Sequence, residues 1–235
     1  MRRLTTGLDL AFVHDGAAFV TVERHGEGVS AWLEVVDLDL RIPTPANRFR
    51  PSELTDEWAD RCVASGVRHV CSDVHYLETL REATMDRGIV LHNAPAGPTR
   101  LDAFIYLRHL TRSPRVEASE GGGINGPCLP AMSSLVYDPT RQAAPKAAQS
   151  SPLGRRLALA PGLRYAAELR EQLGQIRQTA TAGGQISITA ARTGAGHADL
   201  PFALLAAVAL DRRLYGPIGI TAPEPRAHRG GWTTP

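Results

Sequence analysis

The chain has 235 residues, 43% of them hydrophobic, and a formal net charge of +2. That length suits one α/β domain, or one domain with an insertion, and the apolar share is enough for a real core. The charge balance gives no strong global attraction to nucleic acid, and the basic residues are almost all arginine, with Lys146 the single lysine. Cys62, Cys71 and Cys128 are the three cysteines; without a CxxC pair and with an odd count, they point away from a disulfide framework or a zinc site. No apolar run is long enough to span a bilayer, and the first ten residues, MRRLTTGLDL, lack the apolar core of a signal peptide. A reducing, cytoplasmic setting is expected, with no membrane partner.

In chain order, the segments GLDLAFV, AAFVTVER and VSAWLEVVDLDL read as three strands. Turn formers link them, His14-Asp15-Gly16 and His25-Gly26-Glu27-Gly28, which predicts an antiparallel meander. RPSELTDEWADRCVASG then reads as a helix, with Ser52 as cap, Leu54, Trp58 and Val63 on it, and Gly66 at its end. VRHVCSD is a short strand ending in Asp73, YLETLREATMDRG a helix closed by Gly88, and IVLHNA a further strand. In TRLDAFIYLRHLTR, Leu101, Phe104, Ile105 and Leu110 recur at helical spacing. A meander followed by alternating helix and strand implies a mixed sheet with helices on its faces.

From Ser113 to Arg155 the pattern fails, and Gly, Pro, Ser, Ala and Gln dominate. This composition cannot bury enough apolar surface to offset ordering, so 113–155 is expected to be a largely disordered insertion. PGLRYAAELREQLGQIR predicts a helix, GGQISITAAR a strand or hairpin arm, and HADLPFALLAAVALDRRLY a final helix that is apolar nearly all round and therefore buried. The ordered domain is expected over 1–112 and 156–216, with 217–235 a tail.

Three aspartates stand out by position: Asp9 in the first strand, Asp73 at the end of the fourth, and Asp199 at the start of the last helix. Asp73 and Asp199 each have a plain alternative as helix caps. Asp9 does not, since Leu8, Leu10, Phe12 and Val13 surround it. In a mixed sheet of five or more strands ordered 3-2-1-4-5, the first and fourth strands are neighbours, and a helix from the C-terminal part can bring the third acid over them. Carboxylates about 4 Å apart repel by roughly 4 kcal/mol at an effective dielectric near 20. A divalent cation turns that penalty into a binding site, and oxygen donors of this kind select Mg²⁺ or Mn²⁺. Two such ions can hold a phosphodiester, activate a water and stabilise the leaving oxygen.

The runs GLDLAFVHDGAAFVTVE, GVRHVCSDVHYLETLREATMDRGI and HADLPFALLAAVAL together resemble the nuclease domain of the large terminase subunit of tailed bacteriophages, a ribonuclease H-like α/β fold. The resemblance covers about 7–112 and 157–215. It implies a metal-dependent endonuclease that cuts double-stranded DNA during packaging, in the host cytoplasm, with Asp9, Asp73 and Asp199 as catalytic metal ligands. Asp15 matches an extra acid on the first hairpin that touches a metal or holds the turn. His197 stands as a candidate to support a metal ligand or to contact phosphate, His75 as structural, and Tyr76 as packing under the helix that follows. The implied partners are an ATPase motor, a portal protein and the small terminase subunit. Two departures are plain: no GxxxxGK[ST] phosphate loop occurs, so a nuclease module alone, a separately encoded half or a remnant is expected, and the 113–155 insertion is not a feature associated with the family. The alternatives are another ribonuclease H-fold nuclease or recombinase such as a junction resolvase, an inactive prophage remnant, and a sugar-kinase or actin-like ATPase.

Overall fold

The structure, a computed structural model, describes residues 2–10, 16–44, 50–73, 77–111, 151–152, 156–180, 186–190, 192–193 and 196–219. Asp15, His75 and Tyr76 lie outside the described residues. So do the expected insertion, apart from Ser151 and Pro152, and the tail beyond residue 219.

The meander forms as β1 (Arg3–Asp9), β2 (Ala17–His25) and β3 (Trp32–Arg41). β1 begins earlier than the apolar pattern predicts, because Arg3 pairs with Arg24, and the register then sets Asp9 opposite Ala18. Asp9 is therefore the last residue of its strand, half-buried, and not enclosed within a core strand. The next elements are α1 (Pro51–Ser65), β4 (His69–Ser72), α2 (Leu77–Met85), β5 (Val90–Asn93) and α3 (Pro98–Thr111). After them come β6 (Ser151–Pro152), β7 (Leu157–Leu159), α4 (Ala166–Gln175), β8 (Ile176–Ala180), β9 (Ile186–Ala190), β10 (Arg192–Thr193), β11 (Gly196–His197) and α5 (Asp199–Tyr215).

One sheet runs β5-β4-β1-β2-β3-β7-β6. Its first five strands stand in the expected order 3-2-1-4-5. β1, β2 and β3 are antiparallel, while β1 pairs parallel with β4 and β4 with β5. β7 and β6 extend the β3 edge; their few residues carry too short a pattern to be predicted. The segment expected as a long fourth helix is shared, since α4 stops at Gln175 and the chain turns directly into the β8–β9 hairpin.

Alternation along β1 sorts the layers. Leu4 and Leu8 pack with Leu54, Trp58 and Leu80 of α1 and α2 on one face. Thr5 and Gly7 face α5, with the Thr5 hydroxyl donating to the Ala207 carbonyl at 3.1 Å. α5 lies buried as expected, with Leu200, Leu204 and Val208 joined to Val20, Val22, Leu33, Leu107, Leu169 and Leu173 in the larger core.

Three local expectations are corrected. Ser52 does not cap α1: Arg50 is the N-cap without a side-chain bond, and Pro51 opens the helix, its fixed φ already helical. Val63 and Ile105 are 49% and 54% exposed. Cys62 and the Tyr106–Leu107 pair take the buried positions, a one-residue rotation of each stripe that tertiary packing decides.

Candidate active site

The parallel register pairs Leu8 with Ser72, so the next residue on each chain, Asp9 and Asp73, stand side by side at the C-terminal end of the β1–β4 pair. Both fall on the same alternation as Gly7 and Cys71, which is the face that α5 covers. Each is half-buried. They line a cavity of about 20 Å³ with Pro95, Arg100, Phe202 and Leu205, room for about one water molecule. The carboxyl end of parallel strands is the edge at which open α/β sheets present their ligand sites.

Asp199 is the first residue of α5 and is 4% exposed. Ala198 occupies the N-cap without a side-chain bond, so Asp199 does not serve as that cap. Its Oδ2 lies 2.8 Å from where a Cβ on Gly16 would stand. Gly16 leads into β2, which is antiparallel to β1, so Asp199 sits at the same sheet edge as Asp9, on the β2 side. Phe202, one turn further along α5, reaches the cavity of Asp9 and Asp73. The three acids thus follow one edge across β2, β1 and β4. Among the described residues, no three His, Cys, Asp or Glu side chains are gathered closely enough to hold a metal ion. His197 is placed by its backbone in β11, paired with Arg192, two residues before Asp199.

Several residues that shape this edge escaped the sequence reading. A Cβ on Gly7 would stand 1.9 Å from the Ala203 carbonyl oxygen and 2.4 Å from the Ala207 nitrogen, so only glycine lets α5 lie this close to β1. An isolated glycine inside an apolar strand is the signal for such an approach. Gln172, fully buried on α4, accepts the Leu200 N–H at 3.1 Å, which satisfies a donor of the first turn of α5. Nothing local in the sequence marks that role. Arg100, on the first turn of α3, has its guanidinium 5.5 Å from the centre of the Phe202 ring and places a cation beside the acids.

The far end of α5 is tied down differently. Arg24 of β2 donates to Asp211 at 2.7 Å and to the Gly216 carbonyl at 3.0 Å, and both side chains of the ion pair are buried. Burial pushes the Asp211 carboxyl up to about 6 against the pull of Arg24. Beyond it, the Ile218 N–H donates to the Tyr106 hydroxyl at 2.7 Å. With Gln172 at one end and Arg24 at the other, the position of Asp199 over the sheet edge is set along the whole helix.

Carboxylate oxygens are the donors that hard divalent cations take, and Asp9 with Asp73 supplies two of them in adjacent register. In donor chemistry, the edge fits Mg²⁺ or Mn²⁺ and not a thiolate metal site. Cys71, near the same edge, is held as a thiol by burial, its pKa pushed up to about 12.

The sequence matches no protein-family model and no curated protein at a significant level. Its fold is similar to that of several solved phage nucleases. The large terminase nuclease of thermophilic phage G20c, solved with bound magnesium, aligns at a TM-score of 0.53 and 13% identity, over 88% of this chain and 80% of that one. A variant nuclease domain of the large terminase subunit of bacterial virus Sf6, with manganese and beta-thujaplicinol, gives 0.53 and 14%, over 87% of each chain. The large terminase of bacteriophage HK97 gives 0.54 and 14%, over 89% of this chain but 40% of its own. The architecture is therefore ribonuclease H-like, as the sequence predicts.

Proposed function

We propose that this chain is a metal-dependent nuclease that hydrolyses phosphodiester bonds of double-stranded DNA, as the nuclease module of a phage packaging machine. The observation that carries the proposal is the pairing of Asp9 and Asp73 at the carboxyl end of β1 and β4, under the first turn of the helix that Asp199 opens. The fold likeness to terminase nucleases, two of them solved with magnesium or manganese, supports it.

In this reading Asp9, Asp73 and Asp199 hold divalent cations, with Asp15 a further ligand on the first hairpin. Two ions bound there would supply an activated water and stabilise the leaving oxygen. The chain's own residues do the rest. Asp9 and Asp73 are oriented by strand register, Gly16 leaves room for the Asp199 carboxylate, and Arg100 faces the cleft as a contact for the phosphate being cut. His197 stands close enough in sequence to support Asp199 or to touch the phosphate. The ATPase motor, portal protein and small terminase subunit are the partners this role calls for.

The test is plasmid nicking by the purified chain with Mg²⁺ or Mn²⁺, against the Asp73→Asn variant. The wild type nicks with either ion, with linear duplex cut at least as fast as four-way junctions. Asp73→Asn loses the activity, because a neutral amide is a poor ligand for a hard cation. Wild-type protein that leaves the plasmid intact over hours at high concentration would sink the proposal. So would a variant that still cuts, since Asn replaces Asp well only as a helix cap.

A further inference from the structure

A second cavity, of about 500 Å³, opens between α3 and α5 over the end of β4 and β5. Ala94 and Pro95 line both this cavity and the acid cleft, so the two adjoin at the end of β5. Thr99 and Asp102 of α3 form one wall, and Arg212 and Arg213 of α5 stand at the far end of the other. Arg212 lies 4.8 Å from the centre of the Tyr106 ring, which holds its planar guanidinium in place. Among the described residues neither arginine forms an ion pair with a carboxylate within 4.0 Å. Arg100 adds a third cation at the mouth shared with the acids.

We infer that this groove receives one unpaired strand of the nucleic acid whose phosphodiester lies at the acid cleft, with Arg212 and Arg213 holding its phosphates. The inference rests on the nuclease reading and deepens it by naming the form of substrate. A cavity of about 500 Å³ walled by two helices is too small to enclose a duplex, whereas one strand can lie along it. The rise of α5 from Phe202 to Arg213 is about 16 Å at 1.5 Å per residue, or about five phosphates of a stacked strand at 3.4 Å each. Arginine pairs suit phosphate by bidentate geometry, and their planes also stack on bases. A cation at the last turn of a helix favours its dipole, but that effect gives no reason for two arginines to face a cavity that adjoins the acid cleft. Asp102, the one carboxylate on the wall, works against the strand and supplies a control of opposite sign.

Binding is measured by fluorescence anisotropy in the full chain carrying Asp73→Asn, so that no cutting is needed. The probes are a labelled blunt duplex and the same duplex with a short single-stranded overhang. The overhang is expected to bind about tenfold more tightly than the blunt end. Adding Arg212→Gln and Arg213→Gln removes that preference, leaves blunt-end affinity in place and flattens the salt dependence by about 1.4 in log–log slope, the value for two phosphate contacts to a single strand. Asp102→Asn strengthens overhang binding. Equal binding of both probes by the parent, or an equal loss on both probes in the arginine variant, overturns the groove and leaves the nuclease reading standing on its own nicking test. Failure to bind either probe overturns both.

Discussion

Asp199 and Asp211 are buried at opposite ends of α5, 4% and 0% exposed, and they stand in different settings. Asp211 faces Arg24, a counter-charge built into the neighbouring strand. Asp199 shares its sheet edge with Asp9 and Asp73. A buried carboxylate matched from within holds two elements in a fixed relation, because removing either partner strands the other charge. In the proposed function, the edge that carries Asp9, Asp73 and Asp199 takes a divalent cation. One helix thus carries an ion-paired structural acid and, in the proposed function, a catalytic one, which residue type alone does not tell apart.

The sharpest way to break this comparison is Asp199→Asn. Nicking should fall by at least about a thousandfold, the order that catalytic charge-stabilising groups contribute, while unfolding in chelator is unchanged or occurs later. Manganese should raise the melting temperature of the parent more than that of the variant, since only a ligand of the folded state shifts the equilibrium. A variant that cuts normally would make Asp199 another structural acid.

At the other end, Arg24→Met should cost about 3–5 kcal/mol in urea unfolding by leaving Asp211 buried without its cation. The double change Arg24→Met, Asp211→Leu should recover most of it, because an apolar pair of similar volume replaces a buried ion pair well. If the single variant is as stable as the parent, the ion pair is not what holds the helix end.

Between the two ends, Gly7→Ala tests the close approach of β1 and α5. The added Cβ would meet the Ala203 carbonyl, and overpacking of this kind costs about 3 kcal/mol. It should also lower nicking, because α5 must move off the strand that ends in Asp9. Unchanged stability in denaturant titration would show that the helix shifts freely.

The smallest effect is the pH dependence of the buried pair. Burial pushes Asp211 from 3.8 to about 6, so the folded chain holds this proton more tightly than the unfolded one. Its contribution to stability is present in full below about pH 4, is lost as pH rises through about 6, and is flat above about 7. The difference between wild type and Asp211→Asn in urea unfolding should therefore favour the wild type by about 1 kcal/mol more at pH 5 than at pH 7. The opposite slope would mean that Arg24 outweighs burial.

Much of the fold was legible in the chain itself, and for local reasons. The alternation in β2 and β3, the helical stripes of α1 and α3 and the apolar run of α5 record which face each element buries. That record is enough to expect a meander followed by alternating helix and strand, and to place Asp73 and Asp199 at element ends; the order 3-2-1-4-5 belongs to the fold that the resemblance implies, and Asp9 was expected within its strand and stands at its end. The limits of β1 were not legible, because they follow from its pairing with Arg24. Nor was the rotation that exposes Val63 and Ile105, since a stripe one residue over is equally periodic.

What only the tertiary structure decided are relations between distant segments. The step from Leu8–Ser72 to Asp9–Asp73, the gap at Gly16 for Asp199, the contact of Gly7 with α5, and Gln172 at the start of that helix each join residues far apart in the chain. The Arg24–Asp211 pair spans 187 positions, and no period within either segment encodes it. Periodicity reports how a residue relates to its own neighbours. Register, close approach and charge pairing are properties of two surfaces in contact, and they exist only once the chain has brought those surfaces together.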